Sequence, residues 1–95
     1  RIEKVDKNGQ LTFIAGNGHA GRATGGPALK SNMFLPEGVT ADNFGNVYIA
    51  DTYNRRIEKV DKNGQLTFIA GTGKPGPATE GPALVSSLYF PTGVT

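Results

Sequence analysis

Two segments of the sequence carry the glycine spacing that binds the phosphates of a dinucleotide in other folds. They are Gly16-x-Gly18-x-x-Gly21 and Gly71-x-Gly73-x-x-Gly76, and each follows a predicted strand. A dinucleotide site also needs a helix directly after the glycines, whose N-terminus holds the pyrophosphate. Pro75 and Pro77 forbid a continuous helix in the second segment. The glycines therefore predict tight turns with positive φ, and no cofactor.

The other residues capable of chemistry do not form a recognisable reactive group. His19 is the only histidine, and a zinc site normally needs three or four ligands. No serine has a neighbouring base that would make it a nucleophile. Aspartates recur at the predicted strand ends, where the capping of turns explains them: Asp6, Asp42, Asp51 and Asp61. The sequence thus predicts no catalytic residue, no metal site and no enzymatic activity.

A repeat dominates the sequence. RIEKVDKNGQLTFIAG spans residues 1–16 and returns letter for letter at residues 56–71, which sets a period of 55 residues. Comparing residues 1–40 with residues 56–95 gives 29 identities in 40, and all 11 differences lie between positions 17 and 37 and their partners. A supersecondary unit that recurs in this way usually cannot bury its apolar face alone. We infer a repeat protein that arose by recent duplication or was built deliberately from a common unit.

Short strands joined by tight turns account for the repeat. The chain has 14 glycines and 6 prolines, and its helix-forming residues never recur at helical spacing. Asn8-Gly9 is a strong hairpin signal because both residues tolerate positive φ. We predict an all-β fold with glycine-rich connections at 17–37 and 72–92, and one helical turn starting at Pro27. The predicted strands are 1–6, 11–15, 38–42, 46–51, 56–61, 66–70 and 93–95.

Composition limits the size of the core and the range of partners. The 95 residues are 37% hydrophobic, enough for one small domain but short for a closed all-β architecture. The formal charge of +2 is dispersed among alternating acidic and basic residues, as on an ordinary solvated surface. No apolar stretch approaches the roughly 18 residues that a membrane helix needs, and no signal-peptide pattern precedes the repeat. We predict no membrane contact, while the absence of cysteine leaves the compartment open.

The segment PEGVTADNFGNVYIADTYNRRIEKVD, from Pro36 to Asp61, closely resembles the repeat of NHL β-propellers. The resemblance rests on a Pro-x-Gly-Val start, an Asp-x-x-Gly-Asn turn, a Tyr-Ile-Ala-Asp strand and the spacing Asp51-x-x-Asn54-x-Arg56-Ile57. It implies β-propeller blades of four antiparallel strands. It implies no particular activity, since propellers of this family serve as protein-binding, RNA-binding, structural and occasionally catalytic modules.

The motif residues have structural roles in this interpretation. Asp51 would accept hydrogen bonds from backbone amides of the turn that follows it, and Asn54 would adopt the left-handed conformation. Arg56 would bridge strands or neighbouring blades. Gly45 and Asn46 would form the turn before the Tyr-Ile-Ala-Asp strand. The residues predicted to pack between blades are apolar strand residues: Val39, Ala41, Val47, Ile49, Leu11, Phe13, Leu66 and Phe68.

The resemblance divides the chain into about one and three-quarter blades. The predicted parts are the outer two strands of a first blade at 1–16, an interblade connection at 17–37, a complete blade at 38–71, a second connection at 72–92 and the start of a further blade at 93–95. Propeller blades bury their apolar faces only against neighbouring blades, typically about 4 to 8 around a ring. A chain of this length therefore cannot close a ring alone.

Two organisations follow from this incomplete set of blades. If copies joined head to tail, one blade would contain the terminal GVT of one chain and the initial RIEKVD of another. That blade would lack its second strand, the one that the segment ADNFGNVYIADTYNR supplies to the predicted complete blade. Either the 95 residues are an excerpt of a longer repetitive polypeptide, or the assembly contains a blade of three strands or one whose strands pair differently. Our leading interpretation is symmetric self-association into a homo-oligomeric ring, with other copies of the chain as partners.

A binding module for RNA, protein or glycan is the alternative. Tyr48 and Tyr53 are available to stack on bases beside a set of basic residues that recurs along the repeat. These basic residues are Lys4, Lys7, Arg22, Lys30, Arg55, Arg56, Lys59, Lys62 and Lys74. Acidic residues on the same strands, such as Glu3 and Glu58, would cancel much of the positive potential. RNA binding is therefore the weaker of the two interpretations.

Overall fold

The computed structural model describes residues 1–95 and confirms the all-β fold. Its strands are β1 (Ile2–Val5), β2 (Leu11–Ala15), β3 (Gly26–Pro27), β4 (Gly38–Ala41), β5 (Val47–Asp51), β6 (Arg56–Val60) and β7 (Gln65–Ala70). Three short 3-10 helices lie at Ala28–Lys30, Thr52–Asn54 and Ala83–Val85. None of these helices has the length and apolar character needed to cross a membrane.

The strands form two antiparallel sheets. β1 and β2 pair as a two-stranded sheet, which we call the half-blade. β4, β5, β6 and β7 pair in sequence order, and we call these four strands the complete blade. β3, from the connection after the half-blade, pairs with the outer edge of β7. Four antiparallel strands in sequence order are the arrangement of a propeller blade.

The hairpin turns are specified locally by an aspartate and a glycine. Asp6 Oδ1 accepts hydrogen bonds from the backbone amides of Asn8 at 2.8 Å and Gln10 at 2.9 Å, and Asp61 caps the matching turn of the second copy in the same way. Gly9 closes the first turn with a φ of +79°, a conformation that glycine adopts without strain. Turn capping thus accounts for these aspartates.

The ends of the connections depart from the predicted strands. β3 was not predicted, because two residues carry no periodicity and their pairing depends on the edge of β7. Residues 93–95 form no strand, since a strand needs a ladder partner and the tail passes over the start of β4 without pairing. A Cβ at Gly38 would collide with the Thr92 carbonyl oxygen, which shows how closely the tail approaches. The predicted helical turn after Pro27 is present at Ala28–Lys30.

The core lies between the half-blade and the complete blade. Ala15 comes from β2, and Ala28 and Met33 come from the connection that follows. They pack with three residues on one face of the complete blade, namely Ile49, Val60 and Leu66. Partly buried Ile2, Ile14, Val47 and Phe68 surround this cluster. The main apolar core is therefore a contact between successive repeats, as in a propeller.

Candidate functional site: the contact between repeats

Asp51 links the complete blade to the connection before it. Its side chain is fully buried, and Oδ1 accepts a hydrogen bond of 2.9 Å from the backbone amide of Phe34. Oδ2 accepts a 2.8 Å bond from Asn54 Nδ2, which also donates to the Gly21 carbonyl at 2.9 Å. The expected partners were amides of the following turn. The structure instead directs Asp51 to the connection, so that the motif holds two repeats together.

The left-handed residue in the turn after β5 is Arg55 and not Asn54. Arg55 has a φ of +60°, whereas Asn54 ends the 3-10 helix Thr52–Asn54. The side-chain amide of Asn54 donates to Asp51 and to the Gly21 carbonyl, and the chain reverses at the next residue, Arg55. The Arg55 guanidinium then lies 3.8 Å above the ring centre of Phe90.

Arg56 bridges strands within its own repeat. Its guanidinium lies 4.0 Å above the ring centre of Phe68, and Nη2 donates to the Thr72 carbonyl at 3.1 Å. Gly73, with a φ of +87°, leaves room for this arginine, because a Cβ there would lie 2.8 Å from Nη2. The glycine-rich motif is therefore a turn with positive φ, as predicted, and its second glycine accommodates an arginine. No helix of dinucleotide-binding type follows it.

Gly45 and Asn46 lie in the turn between β4 and β5. Gly45 has a φ of +89°, and the side-chain amide of Asn46 donates to Asp42 Oδ2 at 2.9 Å. The backbone amide of Asn46 donates to Oδ1 at 3.0 Å, and the Tyr48 hydroxyl donates to Oδ2 at 3.0 Å. These bonds, the Asn46 side chain above all, lower the pKa of Asp42 to about 2. The Asp42 carboxylate in turn raises the pKa of Tyr48.

The predicted packing residues differ in how far they are buried. Ile49 is fully buried, and Val47 and Phe68 pack at the edge of the core. Val39 lies opposite Ile49 and borders a cleft with Ile2 and Ile14 of the half-blade, but it remains 54% exposed. Phe13 remains 46% exposed beneath the Arg1 guanidinium. Apolar residue type alone therefore does not decide burial at these five sites.

Identical residues in the two copies have opposite environments. Val60 and Leu66 in the complete blade are 2% and 1% exposed. Their counterparts 55 positions earlier, Val5 and Leu11, are 64% and 52% exposed. The half-blade and its connection cover Val60 and Leu66, and nothing in the chain covers Val5 and Leu11. The half-blade thus presents the same apolar face that the complete blade buries.

A backbone clamp reinforces the contact between the repeats. Gly26 pairs with Leu66 and Pro27 with Gln65, while the Ala28 amide donates to the Gly64 carbonyl at 2.8 Å. The same sequence elements occur near the two ends of the chain, where they do not pair with each other. Gly81–Ala83 repeat the clamp, and Gly9–Leu11 repeat the strand that receives it. Ala83 is exposed, whereas its counterpart Ala28 is 1% exposed.

Glu58 is the buried residue that sequence reasoning missed. It is fully buried on β6, and neither carboxyl oxygen has a hydrogen-bond partner. Burial first, and then the nearby charge of Asp51, raise the pKa of Glu58 to about 9, while Arg56 acts in the opposite direction. Strand alternation is the sequence signal that could have identified Glu58. It lies two residues before Val60 on the same strand, so both side chains point to the same buried face.

Other candidate chemistry is not assembled by the fold. His19 lies exposed in the first connection. No group of three or more histidine, cysteine, aspartate or glutamate side chains lies close enough together to hold a metal ion. The geometry at the contact between repeats therefore provides packing, hydrogen bonding and strand pairing.

Replacing Asp51 with alanine is expected to lower the free energy of unfolding by about 3 kcal/mol. The change leaves the Phe34 amide and the Asn54 side chain without their buried acceptor, and each unpaired group costs about 1–3 kcal/mol. Urea unfolding measures the change, with Asp6→Ala as a control at an exposed turn cap. Equal effects of the two substitutions would contradict the assigned role of Asp51.

No protein-family model matches the chain. Among curated proteins, it is 37% identical over 84 residues to NHL repeat-containing protein 2 of Bos taurus and of Homo sapiens. The match covers 87% of this chain and 11% of each relative. Teneurin-1 of Gallus gallus is 32% identical over 80 residues, covering 75% of this chain and 3% of its own length. The chain thus corresponds to a small part of each of these proteins.

Two solved structures from Bacteroides thetaiotaomicron share the fold. A structural genomics protein of unknown function superposes with a TM-score of 0.82 at 22% identity, over 96% of this chain and 23% of its own. An auxiliary nutrient binding protein superposes with a TM-score of 0.71 at 20% identity, over 96% of this chain and 25% of its own. Together with the curated relatives and the blade geometry, they show that this chain consists of NHL repeats and belongs to the NHL-repeat β-propellers.

Proposed function

We propose that the chain is a non-enzymatic propeller building block that joins copies of itself head to tail into a ring. The observation that carries this proposal is the opposite burial of identical residues: Val60 and Leu66 are buried, and Val5 and Leu11 are exposed. Burying each such side chain is worth about 1.5–3 kcal/mol. A second copy of the chain contains the surface that buries these residues.

The internal contact supplies a model for the contact between copies. The clamp at Gly26–Ala28 holds the strand at Gly64–Leu66, and both segments have identical copies 55 residues away. Repeating the contact places Gly81–Ala83 of one chain against Gly9–Leu11 of the next. The Ala83 amide would then donate to the Gly9 carbonyl, and the exposed Leu11 would enter an apolar environment.

Head-to-tail contacts of this kind join two different surfaces of the same molecule. Such heterologous contacts form a ring if the rotation closes and a filament if it does not. The rotation between propeller blades closes after typically about 4 to 8 blades, which favours a ring. The blade at each joint would contain β1 and β2 of one copy beside the tail of another.

Light scattering on the purified chain tests the proposal. We expect a discrete mass of several chains that falls to the monomer mass on dilution. Leu11→Ser should weaken association while leaving the fold intact, because Leu11 is exposed in the single chain. Thr12→Ser, at the next position of β2 and facing the other way, is the matched control. A folded species that stays monomeric at every accessible concentration would refute self-association.

An exposed aromatic cluster supports a second candidate function, a binding module for RNA, protein or glycan. Tyr53 lies between Phe34 and Phe90, with ring centres 5.3 Å from each, and all three rings are more than one-third exposed. Arg55 covers one face of Phe90. Retention on immobilised RNA at low salt, lost in Tyr53→Ala and in high salt, would support the RNA form of this candidate.

A further inference from the structure

A polar cavity between the two connections gathers three cations. Its volume is about 180 Å³, and its lining contains no hydrophobic and no acidic residue. The residues around it are Arg22, Asn54, Arg56, Thr72, Gly73 and Lys74. Water occupies roughly 30 Å³ per molecule in the liquid, so the cavity has room for a phosphate group. We propose that this cavity, which we call the basic cavity, binds the dianionic phosphate group of a phosphate monoester.

Hydrogen bonds within the chain hold the wall that carries Arg22. The preceding residue, Gly21, accepts a 2.9 Å bond from Asn54 Nδ2, which ties the first connection to the turn after β5. Asn54 is buried, so water competes little for this bond. Arg22 is exposed and borders the cavity from the first connection. The fold thus fixes the backbone position of this cation beside the cavity.

Arg56 contributes a guanidinium that is already oriented. It lies 4.0 Å above the centre of the Phe68 ring, and Nη2 donates to the Thr72 carbonyl at 3.1 Å. A guanidinium has more N–H donors than this single bond uses, and its planar fork suits the oxygens of a phosphate. Because its side chain is held in place, Arg56 can bind an anion with little further loss of conformational entropy.

The turn at residues 72–74 carries the third cation. Thr72 Oγ1 accepts the backbone amide of Lys74 at 3.2 Å and lies 3.1 Å from Ser87 Oγ. Between them, Gly73 has a φ of +87° and leaves room for the guanidinium of Arg56. The second glycine-rich segment of the sequence therefore supplies a cation to the basic cavity, although no helix of dinucleotide-binding type follows it.

The charges around the basic cavity match a dianion. Asp51, which accepts a 2.8 Å bond from Asn54, offsets one of the three cations from behind the wall. Glu58 interacts with Arg56 but adds no charge at neutral pH, because burial above all raises its pKa to about 9. An excess of two positive charges remains, and a phosphate monoester carries about −1.5 to −2 at pH 7. A bound dianion would also relieve the repulsion among the cations.

Two of the three cations lie at positions where the copies of the repeat differ. Arg22 aligns with Pro77, and Lys74 aligns with His19, across the 55-residue period. The sequences of the paired strands are the same in both copies, so the propeller fold does not depend on either cation. Their convergence on one cavity from different connections is explained by a ligand that both of them bind.

Amide NMR at neutral pH and constant ionic strength tests the basic cavity with two small probes. Methyl phosphate is a monoester that forms a dianion, and dimethyl phosphate is the matching diester, which is a monoanion. We expect saturable binding of methyl phosphate by the full chain, with the largest shifts at the amides of Gly73 and Lys74. Dimethyl phosphate should bind at least about fivefold more weakly, because its smaller charge interacts less with the cations.

The two exposed cations provide variants that should leave the fold intact. Arg22→Gln and Lys74→Gln each remove one charge from the cavity and are expected to weaken the binding of methyl phosphate by about three- to tenfold. Lys30→Gln is the matched control, because it removes the same charge from an exposed position of the first connection outside the cavity. This control variant should bind methyl phosphate as the parent chain does.

The outcomes distinguish a monoester site from general attraction of anions and from self-association. Equal binding of the two probes, an equal loss in Lys30→Gln, or no saturable binding would each overturn the proposal. The basic cavity lies within one chain and goes beyond the proposed ring. A monomeric chain that binds methyl phosphate as expected would refute the ring and support the basic cavity, and an oligomer that binds neither probe would do the reverse.

Discussion

Truncating Leu66 to alanine is expected to lower the free energy of unfolding by about 2–5 kcal/mol, whereas Leu11→Ala should cost the monomer less than about 1 kcal/mol. The two leucines occupy identical sequences, but Leu66 is 1% exposed in the core and Leu11 is 52% exposed. A buried leucine loses its transfer free energy and leaves a cavity when it is truncated, and an exposed one loses little of either. The difference between the two expected losses of stability therefore comes from the burial of the leucine side chain, since the local sequence is the same.

Urea unfolding at low protein concentration measures both leucine variants. At higher concentration, the proposed joint would bury Leu11, and Leu11→Ala should then reduce association while Leu66→Ala acts mainly on folding. Equal destabilisation of the dilute chain by the two substitutions would contradict the assignment of Leu66 to the core and Leu11 to a free surface.

Glu58→Gln is expected to stabilise the chain at neutral and alkaline pH and to remove much of the pH dependence of its unfolding. The pKa of Glu58 is raised from 4.5 to about 9, so the folded chain holds a proton that the unfolded chain releases over this interval. Stability contributed by this proton is fully present below about pH 4.5 and is lost as the pH rises towards 9. The loss is on the order of 1 kcal/mol for each pH unit.

The groups facing Glu58 determine this behaviour together. Asp51 on β5 raises its pKa through its negative charge, and Arg56 on β6 lowers it, while burial between the repeats has the largest effect. Thermal unfolding of the parent chain from pH 4 to 9 should therefore show a steady decline that Glu58→Gln flattens. Glu3→Gln, the same change at the exposed copy, should follow the parent profile. A flat profile for the parent chain would show that Glu58 is not held protonated.

Local chemistry explains why the strands could be predicted from the sequence. The Asn-Gly turns with an aspartate at their start, as at Asp6 and Asp61, form hydrogen bonds within five residues of the chain. The alternation of β2 and β7 is equally local, and the resemblance to NHL repeats supplied the order of the blade. These features need no knowledge of distant contacts.

The features that could not be predicted depend on contacts between repeats. β3 exists because the edge of β7 lies beside it, and Asp51 accepts the amide of Phe34 across 17 residues. The contrast between Glu58 and Glu3 is the clearest case, because identical local sequences give one buried and one exposed carboxyl group. Only the position in the repeat array distinguishes them.

Disulfide trapping between copies tests head-to-tail association most directly. The chain has no cysteine, so Gln10→Cys and Pro82→Cys can be introduced in separate chains and mixed. In the chain, the equivalent positions Pro27 and Gln65 lie directly opposite each other on paired strands. A disulfide forms only between positions that approach this closely. We expect a rapid disulfide between the two variants, and none when Lys7→Cys replaces Gln10→Cys. Failure to cross-link, or equal cross-linking by both pairs, would contradict the proposed joint.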